Sequence, residues 1–190
     1  MPETQTNALI ELLDGATQAD CIKTITSGVK DGLVKAVTEG QVQLAEDLIE
    51  PSADGYGRRL LHRDPAGRYS VVAMIWGEGQ GTPIHDHGGK WCVECVYRGQ
   101  ILVTTYEISP SSDPEHVKIR LCHEERANLG EAGALIPPHD YHVIENEQTE
   151  TAVTIHVYGG DMNGCNVFEP VDGGGLYARR WKPLSFDSTL

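Results

Sequence analysis

A pair of histidines one residue apart is the feature of this sequence that indicates chemistry most directly. His85 and His87 flank Asp86, and residues i and i+2 of an extended strand point to the same face. A third histidine from a distant strand, His139 or His142, would complete a three-nitrogen metal site, and imidazole suits Fe, Cu, Ni and Zn. Three protein ligands leave coordination positions open, so the pattern predicts a catalytic metal site rather than a structural one.

Length and composition limit what the chain can be. Its 190 residues are enough for one domain with a substantial core. The net charge of −13 disfavours nucleic acid and anionic membranes as partners, and the sequence lacks the long apolar run of a membrane span. No leader segment is recognisable at the N-terminus, and the five cysteines are scattered, as in a reducing compartment. We therefore expect a cytoplasmic protein, and we expect a monomer.

The hydrophobic pattern changes from helical to strand-like along the chain. Apolar residues within 7–50 recur at helical spacing and predict about two to four short helices. From residue 60 onward, short apolar runs alternate with turns rich in glycine and proline. The predicted strands are residues 69–76, 92–97, 101–108, 117–122, 134–136, 143–144 and 152–158. This pattern predicts a mainly β fold, a closed sandwich or barrel, with an irregular segment after residue 173.

Two ordered motifs resemble those of a known superfamily. Gly79, His85, His87 and Gly99 have the spacing of the first metal motif of the cupins, and residues 137–146 resemble the second. From about residue 56 to 168 the chain is similar to the thiol dioxygenases, specifically those of the cysteine dioxygenase type. The runs that carry this resemblance are residues 76–79, 84–87, 142–146 and 154–158.

We expect one cupin domain over residues 1–190, in which the resemblance concerns the core and the sequence pattern indicates the two flanking segments. Its core would be a small β-barrel or jelly roll at residues 56–168. The helical extension at 1–50 would pack on the outside of the barrel, and residues 169–190 would form a C-terminal tail.

The resemblance also implies Fe(II) held by His85, His87 and His142, and it favours His142 over His139 because His142 precedes Val-Ile-Glu-Asn. Most cupins have a glutamate ligand where this chain has Cys92, and Glu94 is a competing ligand shifted by two positions. Three neutral ligands leave the iron its full positive charge, which favours an anionic thiolate from the substrate.

Four further residues have expected catalytic roles by the same resemblance. Cys92 and Tyr158 occupy the positions that form a thioether cross-link in the family, although a cysteine in a strand is also commonly a small core residue. Thr154, His156 and Tyr158 share one strand face. They are similar to the family's serine–histidine–tyrosine relay, with threonine in place of serine but the hydroxyl retained.

Substrate binding requires a group that holds a carboxylate, and the planar guanidinium of an arginine does this best. Counting back without gaps from the metal motif, Arg59 falls at the family's carboxylate-binding position. Arg58 would then point away, because neighbours on a strand face opposite sides. Cys165 matches a pocket cysteine of the cysteine-specific members. These residues favour L-cysteine, oxidised by O2 to cysteine sulfinic acid.

Other functions stay open on the sequence. The substrate could be another small thiol, such as 3-mercaptopropionate or mercaptosuccinate. A non-catalytic cupin that binds a ligand or stores metal is a second alternative, although it would not need both the histidines and the relay. A zinc-dependent sugar-phosphate isomerase is disfavoured because Cys92 replaces the glutamate ligand. The expected partners are a small thiol and O2, with no nucleic acid and no membrane.

Overall fold

The structure, a computed structural model, describes residues 4–112, 115–171 and 175–189. The helices are α1 (Asn7–Ala16), α2 (Ile22–Thr38) and a 3-10 helix (Glu46–Ile49). The strands are β1 (Gly57–Arg63), β2 (Ser70–Trp76), β3 (Ile84–His85), β4 (Cys92–Arg98), β5 (Gln100–Pro110), β6 (His116–Asn128), β7 (Ala132–Leu135), β8 (Tyr141–Glu145), β9 (Ala152–Tyr158), β10 (Gly164–Val171), β11 (Leu176–Pro183) and β12 (Ser188–Thr189). Among the described residues, no helix has the length and apolar character needed to cross a bilayer.

The strands form two sheets that enclose a common interior. The first sheet has the order β12-β1-β2-β9-β4-β7. The second has the order β10-β11-β6-β5-β8-β3 and closes because β3 also pairs with β10. Apolar side chains of both sheets meet in one cluster, for example Val72 of β2 with Val103 of β5 and Val167 of β10. The mainly β cupin fold expected from the sequence is confirmed.

The middle of the first sheet is buried on both faces. Every residue of β2 and of β9 is buried, and successive side chains alternate between the two faces of the sheet. Val71 and Ala73 belong to a core cluster that includes the helices, whereas Val72 and Met74 belong to the barrel interior. This explains why these strands read as continuous apolar runs rather than as an alternation.

The two helices cover the outer face of the first sheet. Leu9 and Leu13 of α1 and Val29 and Leu33 of α2 have no exposed surface, and all four pack in the cluster formed with that face. The expected position of the N-terminal helices, outside the barrel, is therefore confirmed.

The two glycines of the first motif allow tight turns. Gly79 and Gly99 have φ angles of +69° and +75°, in the left-handed region that favours glycine. Gly99 lies in the connection from β4 to β5, where a single residue joins the two strands. The motif glycines therefore place the histidine segment and the following hairpin.

The C-terminal segment differs from its prediction. Residues 169–190 were expected to form a tail, irregular after residue 173, but β10 continues to Val171 and β11 pairs with both β10 and β6. β12 then pairs with β1. β11 has no clear strand signal because it faces solvent and carries Arg179, Arg180 and Lys182, which interrupt the apolar alternation. Backbone pairing with its neighbours stabilises this strand instead.

Candidate active site

Three histidines converge at one end of the barrel interior. His85 lies on β3 and His142 lies directly opposite it on β8, while His87 follows β3 by two residues. One ring nitrogen from each histidine lies within 4.8 Å of the others. The side chains of His87 and His142 are each only 1% exposed. The sequence prediction that these three residues meet agrees with this geometry, and their role as metal ligands stays a prediction.

Oxygen atoms face the Nδ1 side of each imidazole. His85 Nδ1 lies 3.1 Å from the carbonyl oxygen of Pro83, and His87 Nδ1 lies 3.2 Å from Oδ2 of Asp140. His142 Nδ1 lies 3.6 Å from Oε1 of Glu94. An acceptor at Nδ1 places the imidazole proton there and leaves Nε2 as the free ligand atom.

The environment keeps the imidazoles of His85 and His142 neutral. Burial, together with the neighbouring His87, lowers the pKa of His85 to about 3. Burial, followed by repulsion from the other imidazoles, places the pKa of His142 well below its usual range. Neither nitrogen of His142 has a hydrogen-bond partner among the described residues, and buried polar atoms without partners are costly. Neutral, desolvated imidazoles with a free nitrogen fit a divalent metal ion.

His139, the competing third ligand, lies elsewhere. Its side chain is exposed, and it lines a surface cavity with Tyr106 and Arg120 rather than the histidine cluster. Of the two candidates, only His142 is brought to His85 and His87.

Of the relay expected on β9, the contact between Thr154 and His156 is present. The Thr154 hydroxyl lies 2.7 Å from Nε2 of His156 and accepts a hydrogen bond of 2.9 Å from Nε1 of Trp76. The expected hydrogen bond between His156 and Tyr158 is replaced by another contact, because the Tyr158 hydroxyl donates to the sulfur of Met74 at 3.7 Å. The two rings are stacked, with centroids 5.8 Å apart. His156 therefore positions Tyr158 through ring packing rather than through a hydrogen bond.

Cys92 and Tyr158 face each other across two neighbouring strands. They are directly paired in the register of β4 and β9, and both side chains are buried. Side chains at paired antiparallel positions lie on the same face with their Cβ atoms about 4.5–5.5 Å apart. Burial raises the pKa of the Cys92 thiol and of the Tyr158 phenol, so both groups are protonated at neutral pH. The arrangement permits the predicted cross-link, which stays a prediction.

The two arginines of β1 are placed opposite to the prediction. Arg58 is 5% exposed and lines the cavity next to His85 and Tyr158. Arg59 points away and forms an ion pair with Asp187. The reason lies in the register: Arg58 is paired with Met74, which faces the barrel interior, whereas Arg59 is paired with Ala73, which faces the helices. The prediction that Arg59 faces the cavity is therefore wrong, and Arg58 takes that place.

The cavity beside the histidines is small and partly apolar. Cys165 lies in its wall, and burial raises the pKa of its thiol to about 11. Its role in substrate binding stays a prediction. Besides Arg58, the lining residues are Tyr56, Met74, Thr82, Pro83, His85, His87, Ile144, His156, Tyr158, Met162, Cys165, Val167, Lys182 and Leu184. Its free space is about 20 Å³, roughly enough for one water molecule. A bound ligand must therefore be small and must displace flexible side chains such as Met74 and Met162.

Sequence reasoning missed two residues of the site and misjudged a third. The carboxylate of Asp140 accepts a hydrogen bond of 3.0 Å from the backbone N–H of His87. Tyr56 packs on Trp76 at the cavity. Neither has a motif signal of its own. Glu94 had been considered only as a metal ligand, and the structure places it at Nδ1 of His142. Its position two residues after Cys92, on the same strand face, was the available signal.

Comparisons with known proteins agree with this geometry. The family model described as Cysteine dioxygenase type I matches residues 49–170. Cysteine dioxygenase type 1 of Rattus norvegicus is 27% identical over 171 residues, which cover 86% of this chain and 84% of the rat protein. The Homo sapiens protein of the same name is 29% identical over 122 residues, which cover 62% of this chain and 58% of the human protein.

Among solved structures, an uncharacterized conserved protein with a double-stranded beta-helix domain from Klebsiella pneumoniae matches with a TM-score of 0.51. It is 16% identical, and the match covers 68% of this chain and 93% of that one, so this likeness concerns the fold. The family model spans well over half of the sequence and includes all three converging histidines, and the chain therefore belongs to the cysteine dioxygenase type I family.

Proposed function

We propose that this protein is an iron-dependent thiol dioxygenase that converts L-cysteine and O2 to cysteine sulfinic acid. The observation that carries the proposal is the convergence of three imidazoles beside a cavity that contains the buried guanidinium of Arg58. Fe(II) held by His85, His87 and His142 would supply the redox chemistry in which both oxygen atoms are added to the substrate sulfur.

The residues of the chain have distinct tasks in this reaction. Arg58 receives the substrate carboxylate through its planar guanidinium. This orients the thiol toward the histidines, and such positioning is a large part of catalysis. Tyr158 lines the same cavity with its hydroxyl protonated, so it can donate a hydrogen bond to the substrate or to developing negative charge. The apolar walls limit access of water.

The identity of the thiol is the part of the proposal that needs a direct test. Arg58 would serve any small carboxylated thiol, so 3-mercaptopropionate and mercaptosuccinate are alternative substrates. Oxygen uptake by the iron-loaded protein should be compared for L-cysteine, 3-mercaptopropionate, mercaptosuccinate and cysteamine, which lacks a carboxylate. We expect L-cysteine to be the best substrate, with cysteine sulfinic acid as product. Faster oxidation of a thiol without an amine would change the substrate and retain the reaction class, and no uptake with any thiol would favour a binding protein.

The metal site is tested by substitution of the third histidine. His142→Ala should lose metal retention and turnover, because it removes one of the three converging nitrogens. His139→Ala is the matched control and should retain both, because its side chain is exposed and lies outside the cluster. Metal content after desalting and oxygen uptake are the two measurements. Full iron and activity in His142→Ala would contradict the assignment.

A further inference from the structure

Glu94 is a buried carboxyl group with an imidazole at each of its oxygens. It follows Cys92 by two residues on β4, so its side chain points into the barrel, and it is 5% exposed. Oε1 lies 3.6 Å from Nδ1 of His142, and Oε2 lies 3.5 Å from Nδ1 of His156. Burial, followed by the charge of Glu125, raises the pKa of Glu94 to about 8. A carboxyl group in such a place is costly and calls for a specific role.

In the part of the chain that the structure describes, the buried polar side-chain atoms that have no hydrogen-bond partner belong to Glu94 and His142. Within the described residues, the buried side-chain nitrogen and oxygen atoms that have no hydrogen-bond partner are Oε2 of Glu94 and both nitrogens of His142. The Nδ1 atoms of His85 and His87 already have oxygen acceptors. His142 is the remaining histidine of the cluster, and Glu94 supplies the oxygen that faces it. The 3.6 Å separation is slightly longer than a hydrogen bond, and a small side-chain movement would form one.

On its other side, Glu94 meets the relay of β9. The indole of Trp76 can only donate a hydrogen bond, so the Thr154 oxygen is its acceptor. Thr154 in turn contacts Nε2 of His156, so Nδ1 of His156 faces Oε2 of Glu94 at 3.5 Å and, on the same side, Sγ of Cys92 at 3.8 Å. A continuous series of polar contacts therefore runs from Trp76 through Thr154, His156 and Glu94 to His142.

The position of Glu94 separates it from the substrate. It does not line the cavity that contains Arg58 but lines a second cavity of about 610 Å³, together with Val96, Val103 and Leu135. It also approaches His142 from the Nδ1 side, whereas a ligand of the same metal would lie on the Nε2 side. Glu94 is thus placed behind a proposed ligand rather than among the ligands.

We propose that Glu94 is a positioning residue that holds the Nδ1 proton of His142, directs Nε2 of His142 toward the metal, and connects this histidine to His156. The proposal rests on the proposed metal site. An oxygen partner behind a histidine ligand sets its tautomer and orientation, and loss of such a partner costs about 10–100-fold in metal affinity.

The experiment compares Glu94→Leu, Glu94→Gln and, as a matched control, Glu125→Gln, which removes the nearby exposed charge. Binding of Co(II) to the metal-free proteins is measured by competition with a chelator. We expect about 10–100-fold weaker binding in Glu94→Leu. Binding should be nearly unchanged in Glu94→Gln, whose amide oxygen still accepts from His142, and unchanged in Glu125→Gln.

A second readout does not depend on metal or activity. The tautomers of His142 and His156 in the metal-free wild type and in Glu94→Gln are read from ¹⁵N NMR of the imidazoles. We expect His142 to have its proton on Nδ1 in both proteins, and His156 to carry its proton on Nε2 in Glu94→Gln, because the amide N–H donates to Nδ1 of His156. A wild-type His142 protonated on Nε2, or wild-type Co(II) affinity in Glu94→Leu, would overturn the proposal. Retention of Co(II) by His142→Ala would instead indicate that the metal site itself is wrong.

Discussion

The guanidinium of Arg58 is a buried cation that has no carboxylate partner among the described residues. Its guanidinium donates to the carbonyl oxygens of Ser185 and Met162, at 2.9 and 3.5 Å, and lies over the ring of Phe186. Carbonyl dipoles and a ring face only partly compensate a buried charge. An anion entering the cavity would complete this compensation, and this is the physical reason for proposing a carboxylated thiol as the substrate.

We expect Arg58→Met to lower kcat/KM for L-cysteine by roughly two to three orders of magnitude, because a buried charge that loses its partner costs about 3–5 kcal/mol. The loss for cysteamine should be much smaller, because this thiol has no carboxylate. Steady-state oxygen uptake with the two thiols provides the comparison. Arg59→Met is the control and should have little effect on either, since Arg59 pairs with the half-exposed Asp187. Equal losses for both thiols in Arg58→Met would mean that Arg58 acts on folding rather than on recognition.

Cys92 and Tyr158 support a second prediction at this scale. Because they are paired across β4 and β9, we expect a thioether between the sulfur and the phenol ring in part of the protein after turnover. The C–S bond forms as the S–H and one ring C–H hydrogen are removed by oxidation with O2, so the linked peptides should be two hydrogens lighter. Peptide mass spectrometry detects this species, and Cys92→Ser should eliminate it. Cys95→Ser is the control, because Cys95 faces the helices. Unmodified Cys92 and Tyr158 after many turnovers would reject the cross-link.

At the scale of elements, Asn146 ties the end of β8 to β2 and to the loop before β9. Its buried amide nitrogen donates to the carbonyl oxygens of Trp76, Gly77 and Glu150, and its oxygen accepts from the backbone of Gln148. These contacts hold the strand that carries His142 against the strand that precedes the first histidine motif. The asparagine of the second motif is therefore structural in this fold.

We expect Asn146→Ala to destabilise the protein by about 1–3 kcal/mol or more, because three carbonyl groups and one N–H each lose one hydrogen bond. Asn128→Ala is the matched control, since Asn128 is exposed and its side chain bonds to Gln100 and Glu131 at the surface. The measurement is the free energy of unfolding from urea titration of the metal-free proteins. A loss no larger than that of Asn128→Ala would show that water or neighbouring groups replace these bonds.

The sequence predicted those elements whose apolar pattern is set by burial. β2, β4 and β9 agree closely with their predicted ranges, because each is buried over most of its length. The pair His85 and His87 was predictable because its spacing is local, and His142 was favoured over His139 by the residues that follow it. The inward arginine was not, because the face of β1 depends on its register with β2, which a single sequence does not contain. β11 was missed for a related reason, since its pairing partners rather than its own pattern define it.

At the scale of the whole molecule, the first sheet separates a structural core from the chemical site. Odd-numbered residues of β9, such as Val153 and Ile155, pack with the helices. Even-numbered residues of the same strand, Thr154 and His156, belong to the polar interior. The backbone of two fully buried strands thus links the packing on one face to the geometry on the other, and substitutions on the helical side should act on stability alone.

We therefore expect Leu33→Ala to reduce the free energy of unfolding by about 2–5 kcal/mol, because the truncation leaves a cavity between α2 and the sheet. Leu33 has no exposed surface and packs in the cluster shared with β2 and β9. Ile22→Ala is the control on the same helix, since Ile22 is 48% exposed, and its effect should stay within about 0.5 kcal/mol.

Urea unfolding gives the stability, and Co(II) titration below the unfolding transition gives the affinity of the three-histidine site. Both variants should bind Co(II) like the wild type, because neither residue reaches the interior face of the sheet. Weaker Co(II) binding in a fully folded Leu33→Ala protein would contradict the separation of the two faces and show that packing under the helices is transmitted through β9 to the histidines.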